Sequence, residues 1–228
     1  MKLSEFRIRC KIKIPSLKTT GITDEELDVI INDGVRQVNL LAKVYRGYTD
    51  FSIVADQSLY VLSTIAPTFQ QMVTAGLWAK ESSSSDLVRV IPRTVEWLNK
   101  RLPSWRSAAS GSIAQYYYHV GNDLMIYPAM DTAVANGGRL HHLILPTNMG
   151  SGDHYPFTGS TVEITGFRPL DNAIIEYVRW QLAPSLDKET GEDRSYPLFL
   201  QMVNLGKLQI KAKPDAVNYY DTAISFST

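Results

Sequence analysis

The feature that most constrains this chain is a block of short alternating apolar and polar segments between Phe51 and Met149. Helical patterns lie on both sides of the block, at Asp24–Leu41 before it and at Leu170–Leu182 and Leu198–Ala212 after it. Alternation with period two is typical of half-buried strands, and apolar residues three and four positions apart are typical of amphipathic helices. The order of these patterns predicts an α+β fold, a helical bundle with an inserted antiparallel β-domain.

The same patterns predict how the chain is divided. We expect an N-terminal arm or strand at 1–22, a helical bundle at 23–48 and 168–213, an inserted β-rich domain at 49–167, and a C-terminal tail at 214–228. A chain of 228 residues is long enough to bury a substantial core in this arrangement.

Composition narrows the function classes. Formal net charge is zero, with 23 basic and 23 acidic residues, so bulk charge gives no reason to expect general nucleic-acid binding. The single cysteine, Cys10, excludes an intrachain disulfide and a cysteine-based zinc cluster within one chain. The start lacks the apolar core of a secretory signal, and no apolar run reaches the roughly 20 residues that span a bilayer. We expect a soluble protein made in the cytoplasm.

A capping box marks the clearest helix start. Thr23 is followed three residues later by Glu26, so each side chain can bond the backbone amide of the other residue. An apolar stripe follows at helical spacing from Leu27 onward. Gly34 interrupts the stripe, and we expect a close neighbour there.

The segment from Arg7 to Ile14 alternates between cations and apolar residues. As a strand it would send Arg7, Arg9, Lys11 and Lys13 to one face, and we favour this interpretation. A helix is the alternative, because Leu3, Phe6, Cys10 and Ile14 lie near helical spacing. The basic face would meet DNA or an acidic partner, or it would protect an edge strand from unwanted pairing.

The last helix pattern ends in a second group of cations, Lys207, Lys211 and Lys213. Cations at a helix C-terminus are stabilised by the helix dipole, and this explanation is preferred to DNA binding.

Within the β-rich block, two strand pairs are predicted. Phe51–Val54 and Leu59–Leu62 flank four residues that look like a hairpin turn. Consecutive tyrosines at Tyr116–Tyr118 must face opposite sides of a strand, and Gly121–Asn122 supplies a tight turn after them. Asn136–Gly138 predicts another turn before the next strand.

The histidines are the remaining candidates for enzyme chemistry. His141 and His142 are adjacent on a predicted strand and therefore point oppositely, so only one of them could join Asp153 and His154 at a metal. Ordinary surface or packing roles are favoured. Neither a Gly-x-Ser-x-Gly elbow nor a phosphate-binding P-loop occurs. We therefore predict no catalytic residue, no metal site and no cofactor.

An ordered set of short motifs carries a family resemblance. The set begins with the capped helix and Ile31-Asn32-Asp33-Gly34-Val35, then continues with Thr49-Asp50-Phe51, Gln57-Ser58-Leu59-Tyr60, Trp97-Leu98, Pro103-Ser104-Trp105, Tyr116-Tyr117-Tyr118, Gly121-Asn122-Asp123-Leu124 and Ile126-Tyr127-Pro128. In this order and spacing the chain resembles the adaptor, or head-to-tail connector, proteins of tailed bacteriophages. The likeness extends from about Thr23 to Lys213.

The resemblance implies a function in assembly. Such adaptors form a ring, commonly of about twelve copies, beneath the portal protein, where they extend the channel for double-stranded DNA and support tail components. Their fold is a helical bundle with an inserted β-domain. The resemblance thus implies a structural protein of the virion neck, without enzymatic activity, whose partners are further copies of itself, the portal, tail or neck proteins, and DNA bound without sequence specificity.

The apolar C-terminal tail is the expected docking segment. We predict that Asp215–Thr228 orders on another subunit or on the portal, because burial of each large side chain contributes ~1.5–3 kcal/mol. Its apolar residues are Val217, Tyr219, Tyr220, Ile224 and Phe226.

Two other functions stay open at this point. A β-rich tail or carbohydrate-binding module would use exposed aromatic residues of the central block as an isolated monomer. A metal-dependent hydrolase would use the histidines.

Overall fold

The computed structural model describes residues 1–18, 21–107, 109–186 and 192–211. It confirms the α+β fold, with helices and an inserted β-rich region. The chain forms two compact units. The helical unit comprises Met1–Tyr45 and the described residues from Leu145 onward, and the β unit comprises Arg46–Ile144. The insertion thus ends at Ile144, whereas the sequence pattern placed its end at 167.

The described residues form the following elements, in chain order. They are α1 (Leu3–Lys13), a 3-10 helix (Pro15–Lys18), α2 (Asp24–Ala42), β1 (Arg46–Ile53), β2 (Leu59–Val61), α3 (Leu62–Ile65), β3 (Phe69–Ala79), β4 (Val88–Arg89), β5 (Ile91–Pro92), α4 (Val95–Arg101), a 3-10 helix (Trp105–Ser107), β6 (Tyr116–Val120), β7 (Asp123–Tyr127), β8 (Val134–Ile144), a 3-10 helix (Thr165–Leu170), α5 (Asp171–Leu186) and α6 (Glu192–Lys211).

Helix α2 begins as its sequence predicts. The Thr23 amide donates to the Glu26 carboxylate at 2.9 Å, and the Glu26 amide donates to the Thr23 hydroxyl at 3.2 Å. Gly34 faces α5 so closely that a Cβ atom there would lie 3.0 Å from Cδ1 of Tyr177. The close neighbour expected at this glycine is therefore the ring of Tyr177.

The N-terminal segment is a helix, so the strand interpretation was wrong. Leu3, Phe6 and Cys10 are fully buried on one face of α1, whereas Ile8 and Ile12 are 59% and 66% exposed. The apolar half of the alternating pattern is thus not one buried face. The buried residues are three and four positions apart in the sequence, and a helix, unlike a strand, places residues with this spacing on one side.

The β unit is built from two four-stranded sheets around a shared core. The strand orders are β1-β8-β3-β4 and β2-β7-β6-β5. Inward-facing residues of both sheets, among them Phe51, Leu77, Tyr117 and Leu140, form one hydrophobic cluster. All pairs are antiparallel except β5 with β6, which run parallel and make the second sheet mixed.

Two turn predictions failed because strands take partners that are distant in sequence. The strands on either side of residues 54–58 do not form a hairpin, because β1 pairs with β8 and β2 pairs with β7. The Asn136–Gly138 segment lies inside β8 as an irregularity, where Phe51 pairs with Gly138 and Ile53 with Val134. Asn136 has a φ of 50°, a left-handed conformation that asparagine tolerates.

The turn at Gly121–Asn122 is confirmed. Strands β6 and β7 form an antiparallel hairpin in which Val120 pairs with Asp123, and Gly121 has a φ of 60°. The alternation of the tyrosines is confirmed too. Tyr117 is buried in the core, while Tyr116 and Tyr118 are half-buried on the opposite, outer face of the second sheet.

Candidate functional site

Most of the N-terminal basic residues that were predicted to face DNA or a partner form ion pairs within the helical unit. Arg7 donates to both carboxylate oxygens of Asp28 through its Nε and Nη2 atoms, with Nε 2.6 Å from Oδ1, and Lys11 donates to Asp24 at 2.6 Å. The bond from Lys11 lowers the pKa of Asp24. These cations hold α1 against α2.

Lys13 meets a buried acid on another helix. Its Nζ lies 2.8 Å from Oε1 of Glu176 on α5, and the side chain of Glu176 is only 5% exposed. Arg9 is exposed and makes no ion pair with any described residue. A role for Arg7, Arg9, Lys11 or Lys13 in contacting DNA or a partner stays a prediction.

The C-terminal predictions fall only partly on described residues. Lys207 and Lys211 lie on α6, with Lys211 in its last turn. Lys213 lies outside the described residues, as do the docking residues Val217, Tyr219, Tyr220, Ile224 and Phe226. Their roles stay predictions.

The histidines have packing or hydrogen-bonding partners. His142 is 1% exposed, and its Nδ1 lies 3.1 Å from the carbonyl oxygen of Leu143 while its Nε2 lies 3.0 Å from the hydroxyl of Thr49. A carbonyl only accepts, so Nδ1 carries the proton and Nε2 accepts from Thr49. Burial lowers the pKa of His142.

His154 belongs to the helical unit, where its Nδ1 accepts from the Gly150 amide at 3.2 Å. Over the described ranges, no group of three or more histidine, cysteine, aspartate or glutamate residues could hold a metal ion.

A row of aromatic rings runs across the outer face of the second sheet. The ring centroids of Trp97 and Tyr116 are 5.3 Å apart, those of Tyr116 and Tyr127 are 6.5 Å apart, and those of Tyr127 and Trp105 are 6.2 Å apart. The two tyrosines come from paired positions on β6 and β7. The two tryptophans come from α4 and from the 3-10 helix after it.

An arginine lies over the tryptophan at each end of the row. The guanidinium carbon of Arg93 is 4.5 Å from the Trp97 ring centroid, and that of Arg106 is 4.4 Å from the Trp105 ring centroid. We call this set of Arg93, Trp97, Tyr116, Tyr127, Trp105 and Arg106 the arginine–aromatic row. Cation–π contacts of this kind orient a guanidinium while leaving donors at its edge free.

The charge around the arginine–aromatic row is strongly one-sided. Four basic residues and one acid, Glu96, lie between positions 93 and 106. Lys100, Arg101 and Arg106 are exposed, and none of the four cations forms an ion pair within the described part of the chain. Hydrogen bonds from its own backbone amide and from the Thr94 hydroxyl lower the pKa of Glu96, which keeps the carboxylate ionised. The same bonds hold the carboxylate at the start of α4.

A shallow depression adjoins the Arg93 end of the row. Its volume is about 320 Å³, and it is lined by Pro92, Arg93, Thr94 and Trp97. The Nε atom of Arg93 is buried there and makes no hydrogen bond to any described group. The arrangement offers a fixed positive charge beside an aromatic wall.

The sequence analysis missed this surface. Its signal was present, because two tryptophans and four basic residues crowd the fourteen positions from Arg93 to Arg106. The tyrosines that complete the row come from a hairpin further along the chain, and only the fold shows that Tyr116 and Tyr127 join the tryptophans.

Comparison with protein-family models and with curated proteins gives no relative. No protein-family model matches the chain, and no curated protein matches it. Among the helices that the structure describes, none is long and apolar enough to cross a membrane. A proposal about function therefore depends on the chain's own residues and architecture.

Proposed function

We propose that this chain is a structural virion protein that joins the head of a tailed bacteriophage to its tail. Copies of the chain, about twelve in number, form a closed ring beneath the portal and extend the DNA channel. The protein acts by assembly and performs no catalysis. It is made in the host cytoplasm and resides in the virion neck.

The observation that carries the proposal is the interrupted helical unit. One helical unit is assembled from two stretches of chain, and the β unit is inserted between them. The first and last strands of the insertion pair with each other, with Arg46 opposite Leu143, so the chain leaves and returns side by side. The resemblance to adaptor proteins implies this architecture.

The motif Ile31–Val35 supports the proposal through its structural roles. Asn32 clamps the backbone at Met149, with its Nδ2 3.3 Å from the carbonyl oxygen and its Oδ1 2.8 Å from the amide nitrogen. Gly34 lets α5 approach closely. The motif thus joins α2 to the chain that follows the insertion, as a scaffold interrupted by an insert requires.

A ring is a physically sufficient mechanism for attachment. Each contact to a portal ring can be weak, because linking many contacts in one closed ring raises the total affinity when the geometry permits simultaneous binding. A channel for DNA needs only mixed or modestly positive lining, since tight phosphate binding would hinder passage. The zero net charge is compatible with this requirement.

Reconstitution with a portal tests the proposal. The purified chain, even if it is monomeric alone, is mixed with the portal protein of its own virus and examined by native mass spectrometry and electron cryomicroscopy. We expect a symmetric complex of fixed stoichiometry in which the chain forms a ring. Absence of any complex with that portal would refute the proposal.

A truncation tests the predicted docking tail in the same assay. Deletion of Asp215–Thr228 is expected to leave the far-ultraviolet circular dichroism of the described helices nearly unchanged and to weaken attachment to the portal. Attachment at wild-type strength by the truncated chain would exclude the tail as the docking segment while leaving the ring proposal intact.

A further inference from the structure

The arginine–aromatic row has no acidic partner among the described residues, although Arg106 donates one hydrogen bond to the Asn99 side-chain oxygen at 2.9 Å. Arg93 and Arg106 are held against tryptophan rings, and the cations between them are exposed. In the helical unit, by contrast, Arg7, Lys11 and Lys13 each bond an acid. Cations that are fixed in place without an acidic partner indicate a surface that meets an external anion.

We infer that the arginine–aromatic row binds single-stranded nucleic acid. Backbone phosphates contact Arg93 and Arg106, and a base occupies the depression against Trp97. The inference concerns the β unit alone and does not depend on the proposed ring.

The arginines suit phosphate in particular. A guanidinium presents its donors as a planar fork that matches two oxygens of a phosphate, and stacking on a ring fixes the plane of the fork beforehand. Arg93 lies over Trp97 and within 5.7 Å of the Tyr116 ring centroid. Its Nε is buried and lacks a hydrogen-bond partner among described groups, so contact with a phosphate falls to the two terminal nitrogens of its guanidinium.

The depression suits one planar group. Its volume of about 320 Å³ is at the lower end of the range for small-ligand pockets, and one of its walls is an indole. Proteins that bind single strands combine cationic grooves with aromatic side chains on which bases stack. Duplex DNA keeps its bases stacked internally and offers none to Trp97, so the aromatic component favours a single strand.

Two other ligand classes fit less well. A sugar needs several hydrogen-bonding groups for its hydroxyls, but the one side-chain hydroxyl in the depression, that of Thr94, already accepts from the Trp97 amide at 3.2 Å and bonds Glu96. An acidic segment of a partner protein would satisfy the arginines and would leave the depression beside Trp97 without a planar occupant. The experiment therefore includes an acidic peptide.

Fluorescence anisotropy of a labelled oligothymidine of about 12 nucleotides measures the binding, with the full-length protein at low salt. The double variant R93Q/R106Q is expected to bind at least about 10-fold more weakly, and the slope of log K against log salt should shrink by about 0.7 for each cation removed. The double variant K80Q/R89Q is the matched control, because it also removes two positive charges from the β unit, and neither Lys80 nor Arg89 forms an ion pair with a described residue. Its affinity should stay within about twofold of wild type.

Two substitutions at Trp97 separate stacking from charge. Trp97→Phe keeps a ring and should bind nearly as wild type, whereas Trp97→Ala should weaken binding by about fivefold or more. Near-ultraviolet circular dichroism verifies the fold of every variant. Photo-crosslinking of the oligonucleotide to the wild-type protein, followed by peptide mass spectrometry, needs no variant and should identify residues between Pro92 and Tyr127.

The competing outcomes are distinct. Equal affinity for a duplex of the same length, unaffected by Trp97→Ala, would overturn the inference, as would crosslinks confined to the helical unit. Binding of an oligoglutamate peptide in place of the oligonucleotide would identify an acidic protein as the partner instead. Loss of portal binding in the reconstitution has no bearing on these results, so the two proposals fail independently.

Discussion

Replacing Asn32 should destabilise the helical unit more than replacing an exposed asparagine on a helix, because the Asn32 side chain bonds a distant backbone segment. Asn32 is 9% exposed, and its side-chain amide satisfies both backbone groups of Met149, a residue that is itself 2% exposed. Asn32→Ala removes the partner of a buried N–H and of a buried C=O. Each unsatisfied buried group costs about 1–3 kcal/mol, and partial access of water reduces the total, so we expect a loss of about 2–3 kcal/mol in the free energy of unfolding.

Urea unfolding followed by far-ultraviolet circular dichroism measures this loss. Asn172→Ala is the matched control, because Asn172 is exposed on α5 and the same atoms are deleted there. Its effect should lie within about 0.5 kcal/mol of zero. A cost for Asn32→Ala no larger than that of Asn172→Ala would refute the reasoning.

Asn32→Asp tests the direction of the two bonds. The aspartate keeps the acceptor for the Met149 amide at 2.8 Å but places a second carboxylate oxygen where a donor met the Met149 carbonyl. We expect a loss at neutral pH that becomes smaller in acid, because the protonated carboxyl can donate again. Unchanged stability at neutral pH would indicate that only the acceptor matters.

Three further predictions follow from the packing of single side chains. Gly34→Ala should destabilise by about 1 kcal/mol in urea titrations, because crowding against Tyr177 outweighs the gain in helix propensity; a stabilised variant would contradict this. The pKa of His142 is lowered in the folded state, so the free energy of unfolding should fall as pH drops below about 6.5, where only the unfolded chain takes up the proton. The melting temperature should therefore depend less steeply on pH in His142→Gln than in the wild type. Burial raises the pKa of Cys10 to about 12, so a thiol reagent at mildly alkaline pH should react at the rate of unfolding, and fast labelling of native protein would count against the buried position.

Local signals in the sequence predicted the elements that depend on local bonds. The capping box at Thr23 and Glu26 correctly predicted where α2 begins, because the hydrogen bonds that form the box lie within four residues. The turn at Gly121–Asn122 gave the β6–β7 hairpin for the same reason. Each of these elements carries its own stabilising contacts and needs no distant partner to be recognised.

Elements that depend on distant partners were mispredicted. The strands around residues 54–58 lie in different sheets because β8, more than seventy residues further on, supplies the partner of β1. Asn136–Gly138 has the composition of a turn, yet the pairing of β8 with β1 and β3 carries the chain straight through it. Turn composition permits a reversal of the chain, and the surrounding pairing decides whether one occurs.

The strict alternation from Arg7 to Ile14 was misleading for a related reason. Both a strand and a helix were compatible with it, and the acids that select the helix lie elsewhere in the chain. Asp24 and Asp28 of α2 and Glu176 of α5 meet the cations at positions that only the helical spacing brings to them. The cost of leaving Ile8 and Ile12 exposed is offset by the burial of Leu3, Phe6 and Cys10.

The distribution of ion pairs also changes which cations are available to a partner. Sequence patterning drew attention to the basic residues of α1, where four cations occur within seven positions. Three of these cations are ion-paired within the helical unit, whereas those around α4 are exposed or stacked on rings and paired with no described acid. An ion-paired cation must give up its bond before it binds an external phosphate, and an unpaired one need not. Removing charge at Arg93 and Arg106 should therefore reduce polyanion binding more than removing charge at Arg7 and Lys11, and the reverse order would show that the pairs on α1 open readily.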